Sequence, residues 1–156
     1  MDTIDFGDIF AFTGIDIFSR EADILLAPGL TSRFGYRFLE QSMKRRFDGF
    51  ASLVQTDGGS EFKDEFKLHV REFCDRHRVA HPYRKNEQSY IESFNRTVRK
   101  ECLGWGKYQT NQLQSCRDMV ELFLERYHYH RPHMGIGMRP PLIKIAGADC
   151  RISTEN

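Results

Sequence analysis

Paired cysteines, long apolar runs and a strong net charge are all missing from this sequence, and each gap removes a class of protein. The four cysteines, Cys74, Cys102, Cys116 and Cys150, stand far apart with no C-x-x-C pair. That argues against a zinc module and for free thiols in a reducing, cytoplasmic setting. No apolar run approaches the roughly 20 residues that a membrane span needs. The opening Met1-Asp2-Thr3-Ile4-Asp5 lacks the basic start and apolar middle of a secretory signal. No internal repeat and no long linker divides the chain. The formal net charge is only +1, so attraction to a nucleic acid would have to come from the distribution of charge.

What is present suits one globular domain. A chain of 156 residues can bury a single core, and 13 Phe and 6 Tyr supply apolar volume. Basic residues gather in Lys44-Arg45-Arg46, Arg76-His77-Arg78 and Arg84-Lys85. Between residues 84 and 100, five Lys or Arg face two Glu. Each cluster alone reads as a solvated helix face. A DNA footprint needs them to converge.

Residues 9–18 form a nearly continuous apolar run rich in β-formers, which predicts a strand buried on both faces. Residues 2–6 and 22–27 read as its antiparallel partners, joined by short turns. Tyr36, Leu39, Met43 and Phe47 then make a helical stripe. Residues 51–56 read as a strand ended by Asp57-Gly58-Gly59. A second stripe, Phe62, Phe66, Val70 and Phe73, precedes a short strand around Val79-Ala80-His81. Further stripes follow at Ile91, Phe94, Val98, Cys102 and at Leu113, Cys116, Val120, Phe123, Tyr127. Arg131-Pro132 stops the last helix. The remainder is rich in Gly and Pro and ends in a polar tail, residues 151–156, expected to fray. A mixed sheet with helices on its faces is the simplest architecture, with one domain over residues 1–150.

Acids stand where these elements begin or end. Asp2 and Asp5 lie on the first strand, Asp57 at the exit of the fourth, and Glu92 near the start of a helix. Each has a plain reading. Asp57-Gly58 is a common turn, and Ser89-x-x-Glu92 spells a capping box. Asp2 and Asp5, three apart on a strand, face opposite ways, so only one can join a site with the others. Asn95, Arg96 and Arg99 share a helix face with Glu92, and an ordinary Glu92–Arg96 ion pair would also explain that. His128, His130 and His133 fit no standard zinc spacing and read as structural.

Taken in order, the words around these acids resemble the DDE catalytic core shared by retroviral integrases and bacterial insertion-sequence transposases. Thr56-Asp57-Gly58-Gly59-Ser60-Glu61-Phe62 is similar to the family's T-D-x-G-S-x-F. Pro82-Tyr83 followed by Ile91-Glu92-Ser93-Phe94-Asn95 is similar to its P-Y … I-E-S-x-N. The 35 residues between Asp57 and Glu92 (92 − 57) match the family spacing. Asp16-Ile17-Phe18-Ser19-Arg20 resembles its D-x-F-S-R, and counting back from Ser19 by the retroviral pattern lands on Asp2. Arg131-Pro132-His133 with Pro140-Pro141 resembles the closing words of the insertion-sequence branch.

The resemblance implies a ribonuclease-H-like α/β fold with a five-stranded mixed sheet flanked by helices. It implies metal-dependent DNA cleavage and strand transfer, with Asp2, Asp57 and Glu92 as catalytic ligands of two Mg²⁺ or Mn²⁺ ions. Tyr83, Lys85, Gln88, Asn95, Arg96 and Arg99 would touch DNA. The partners would be transposon ends, target DNA and further copies of the chain, paired through exposed Phe or Tyr on the first and last helices, with no membrane. Family members carry a DNA-binding domain before this core, so a chain opening at the first acid is expected to be a piece of a longer protein or a remnant. Two rival readings remain. One is a stand-alone ribonuclease-H-like nuclease drawing an extra acid from Asp118, Glu121 or Glu125. The other is a DNA-binding module without activity.

Overall fold

The computed structural model describes residues 1–81, 88–145 and 148–151. It opens with an antiparallel meander, β1 (Asp2–Asp5), β2 (Phe10–Ile15) and β3 (Ala22–Ala27), with β2 in the centre. Asp2 lies opposite Thr13 and Ile4 opposite Ala11. β2 ends earlier than the apolar run predicts. The Asp16 carboxylate accepts the Phe18 and Ser19 amides, an Asx turn that ends the strand. Ile17 and Phe18 are thereby left exposed.

Helix α1 (Ser32–Arg45) starts where the Thr31 hydroxyl accepts the Phe34 amide at 3.3 Å and ends on Lys44 and Arg45, which suits its dipole. Its buried face is Gly35, Phe38, Leu39, Ser42 and Met43, so Phe38 rather than Tyr36 anchors it. Gly35 is required by contact, since a Cβ there would stand 2.2 Å from the Glu61 carbonyl oxygen. Next come β4 (Ala51–Thr56), a 3₁₀ turn Ser60–Phe62, α2 (Asp64–His69), a second 3₁₀ turn Val70–Glu72 and β5 (Cys74–Val79). β5 runs parallel to β4 and starts earlier than its sequence suggests. Asp75-Arg76-His77-Arg78 hides it because most of its side chains face outward.

After residues 82–87, α3 (Ser89–Val98) runs into a π-helical turn, Arg99–Leu103, and α4 (Leu113–Tyr129) follows. A short hairpin, β6 (Leu142–Ile145) and β7 (Ala148–Arg151), closes the described chain. It was not legible in a stretch that reads as loop and tail, because its strands are only four residues each. Residues 152–156 of the expected tail lie outside the described residues.

The alternating side chains of the meander feed two cores. Ile4, Ala11, Ile24 and Leu26 pack with α3 and α4 through Ile91, Phe94, Val98, Val120, Phe123, Leu124 and Tyr127. Phe12 and Ala27 pack with α1, α2 and β4 through Phe38, Leu39, Val54, Phe66 and Val70. The result is a layered α/β domain in which three antiparallel and two parallel strands are ordered as separate sheets. The Met1 amino nitrogen donates to the Gln55 carbonyl at 2.6 Å and lays the start of β1 beside β4. Among the described residues, no helix is long and apolar enough to cross a membrane.

Candidate functional site

The start of β1 and the end of β4 bring two carboxylates together. Asp2 is half-buried, its Oδ1 holding the Thr3 amide at 2.8 Å. Asp57, one residue past β4, uses Oδ1 to accept the Gly59 amide at 3.1 Å. That is the turn role its sequence suggests, and among the described residues it leaves the rest of the carboxylate open. The two acids act on each other electrostatically. Burial raises the Asp2 carboxyl above its ordinary range, the Thr3 amide opposes the rise, and Asp57 and Glu61 add to it. Burial likewise lowers the Met1 amino group to about 6, against the pull of Asp2 and Asp57.

Asp5 lies on the opposite face, as the strand period requires. It accepts the Gly7 amide and pairs with Lys107 at 2.9 Å, and these bonds lower its carboxyl. Asp2 is thus the acid of β1 that faces Asp57.

Helix α3 reaches the pair through Asn95. Its Nδ2 donates to Asp2 Oδ2 at 2.7 Å, while its Oδ1 stands 2.7 Å from the Thr13 hydroxyl. Glu92 sits one turn earlier on the same face and is exposed. The capping box is not formed: the N-cap is Gln88, and no side chain caps the helix. Among the described residues the Glu92 carboxylate makes no ion pair with Arg96 either. Gln88 is half-buried and Arg96 exposed. Arg99 turns away, its guanidinium 4.7 Å from the Phe6 ring and 5.1 Å from Trp105, donating to the Asp5 carbonyl. Pro82, Tyr83 and Lys85 lie outside the described residues.

Two polar neighbours escaped the sequence reading. Thr13 is fully buried; the signal for it was a lone hydroxyl inside an apolar strand, which needs a partner. Glu61, 3% exposed, accepts the Thr3 hydroxyl at 2.8 Å from the other face of β1. Nothing in its local sequence distinguishes it from a solvated acid.

The donor set fits a hard divalent cation. Two carboxylates approach one another in partly buried surroundings, where a cation would relieve both burial and repulsion. Among the described residues no three Asp, Glu, His or Cys side chains already surround one point, so Glu92 would have to turn inward. Two of the three acids offered by α4 are engaged elsewhere. Glu121 pairs with Arg45 and Asp118 accepts Gln114. The histidines are structural where their bonds are described. His128 accepts the Ala22 amide at Nε2 and donates from Nδ1 to the Leu124 carbonyl at 2.7 Å.

Comparison with known proteins finds relatives by sequence and by fold. The integrase core domain family matches residues 74–141. An insertion element IS476 39.2 kDa protein of Xanthomonas euvesicatoria is 32% identical over 85% of this chain. An insertion element IS407 31.7 kDa protein of Burkholderia multivorans is 29% identical over 83% of it. The chain spans 38% and 46% of those two relatives. The catalytic core domain of BIV integrase superposes with a TM-score of 0.66 at 15% identity, covering 90% of this chain and 88% of that one. A simian T-cell lymphotropic virus intasome chain gives 0.63 at 15%, over 85% and 46% of the two chains. At such identity these two likenesses speak for the fold.

Proposed function

Residues 74–141 of this chain match the integrase core domain family, and from that premise we propose that the chain is the catalytic core of an insertion-element transposase. The observation that carries the reading is the meeting of Asp2 and Asp57 beside Asn95, one turn from Glu92. The proposed reaction is metal-dependent cleavage of a DNA phosphodiester followed by strand transfer. Residues 1–150 would act as one unit, with the meander and the β4–β5 pair working as a single five-stranded ribonuclease-H-like sheet.

Asp2, Asp57 and Glu92 are the residues that would hold Mg²⁺ or Mn²⁺. When bound, two such ions supply activation of the attacking oxygen and stabilisation of the leaving one. The chain's own part is positional. The Thr3 amide and the Asn95 amide grip the two oxygens of Asp2. The Asp57-Gly58-Gly59 turn fixes Asp57. Helix α3 carries Glu92 one turn before Asn95, and its side chain would have to rotate inward to join the pair. Gln88, Asn95 and Arg96 would face the DNA, Asn95 while also bonded to Asp2 and Thr13, and Tyr83 and Lys85, outside the described residues, are proposed as further DNA contacts. Arg99 joins it at the rim, with part of its guanidinium already spent on Phe6, Trp105 and Asp5. DNA ends and target are the proposed partners, further copies of the chain complete the assembly, and the cytoplasm is the proposed location.

The test compares wild type with Asp57→Asn. Calorimetry should show Mn²⁺ binding that the variant loses, and Mn²⁺-dependent nicking of end-sequence DNA should vanish with it. An unchanged isotherm in Asp57→Asn would remove the basis of the assignment. Preferential cutting of an RNA–DNA hybrid would instead favour a ribonuclease.

A further inference from the structure

Thr13 has no part in the function proposed above, yet its hydroxyl holds a decisive place. It stands directly across the β1–β2 ladder from Asp2, so both side chains share the sheet face that α3 covers. Its oxygen lies 2.7 Å from Asn95 Oδ1 and 3.2 Å from the Asp2 carbonyl. Asn95 Nδ2 completes the chain at 2.7 Å from Asp2 Oδ2.

One arrangement of protons satisfies all three side chains. An ionised Asp2 only accepts, so Asn95 must present its NH₂. The amide carbonyl then faces Thr13, whose single hydroxyl proton must point to it. The two ends of an amide have nearly the same size and shape, so packing alone does not choose between them. The acceptor-only carboxylate makes the choice, and the Thr13 hydroxyl holds it by donating to the amide carbonyl that then faces it.

We propose that Thr13 is a positioning residue: it locks the Asn95 amide with its NH₂ toward Asp2, and so fixes both that carboxylate and the helix that carries Glu92. This rests on the reading of Asp2 and Asp57 as metal ligands. Without the hydroxyl, the Asn95 carbonyl loses its donor in a buried place. The amide is then held at one end only, and its grip on the Asp2 carboxylate loosens. Outer partners of this kind are typically worth about 10- to 100-fold in metal affinity.

The experiment uses the full chain as wild type, Thr13→Val, Thr13→Ser, Thr13→Ala and Asp57→Asn. Two measurements are made: NMR of the Asn95 side-chain NH₂ in metal-free protein, and Mn²⁺ calorimetry. Thr13→Val keeps the shape and Thr13→Ser keeps the hydroxyl. Thr13→Ala gives a second hydroxyl-free protein should the valine disturb folding. In wild type and Thr13→Ser, one Asn95 amide proton should be shifted and slow to exchange, as a charge-assisted bond makes it. In Thr13→Val and Thr13→Ala that signature should vanish, and Mn²⁺ should bind about tenfold more weakly. Wild-type amide signals and affinity in both hydroxyl-free variants would overturn the proposal. So would a Thr13→Ser protein as impaired as they are, because that pattern reports packing. If Asp57→Asn binds Mn²⁺ like wild type, the metal-ligand reading fails, and the metal-free amide signals still decide whether Thr13 sets the orientation of Asn95.

Discussion

At the scale of single residues, Glu92 separates two chemistries. The Ser89–Glu92 capping box that its sequence spells is absent, and the carboxylate stands exposed one turn from the Asn95–Asp2 bond. Glu92→Gln keeps size and polarity but removes a charged hard ligand. DNA cleavage in Mn²⁺ should fall by about two orders of magnitude or more while DNA binding and the melting temperature hold; normal cleavage would return Glu92 to an ordinary surface position. Arg96→Ala should behave in the opposite way. It should weaken binding to every DNA sequence and reduce the salt dependence by about one unit of log–log slope, the mark of one lost phosphate contact. A filter-binding titration across salt concentrations reads this directly. Arg99→Ala should also lower stability, because its guanidinium covers Phe6 and Trp105.

At the scale of elements, two polar ties hold the helices to β3, and neither was visible in the hydrophobic stripes. The first joins α4 through His128, which is fully buried with both ring nitrogens bonded. Burial holds it near pKa 4, below its ordinary 6.5. Between those values the unfolded chain binds a proton that the folded one refuses. Stability should therefore be full above about pH 6.5 and fall as pH drops toward 4, by up to about 1.4 kcal/mol per pH unit. Urea unfolding at pH 7 and pH 5 should show the loss, and His128→Gln should flatten it. The second tie is Asp23, fully buried on β3, which Arg45 of α1 clasps at 2.6 Å while also reaching Glu121 of α4. Arg45→Met would leave that acid buried without its main partner, at a cost of about 3 kcal/mol, measurable as a drop in the denaturant midpoint. The stripes of α3 and α4 were legible because one face of each helix packs on the sheet. β5 and the β6–β7 hairpin were not, because charge on the first and brevity in the second erase the period on which such reading depends.

At the scale of the whole molecule, joining two DNA ends calls for at least two protomers. The surface suited to this is not the aromatic one first expected. Phe34 and Tyr36 of α1 are half-buried, whereas Met119 and Leu122 of α4 stand exposed, Leu122 by 71%. Light scattering at high concentration should find a dimer, and Leu122→Asp should shift it to monomer. A wild-type monomer at every concentration would contradict this expectation. The order of elements as far as α4 and the acids at strand and helix ends followed from the sequence alone, because periodicity and turn chemistry are local properties. The split of the expected single core into two did not. The rule that only one of Asp2 and Asp5 can join the site did follow from the sequence, since residues three apart on a strand face opposite ways, while the choice of Asp2 came from the family resemblance. Tertiary structure alone decided which distant groups meet. It placed the Asp2 end of β1 beside β4 where Asp57 acts on it electrostatically, Asn95 between Asp2 and Thr13, Glu61 within bonding reach of Thr3, and Arg99 against Phe6. These contacts join residues far apart in the chain, and the packing of α3 and β4 around the meander sets their distances. No local pattern carries that information.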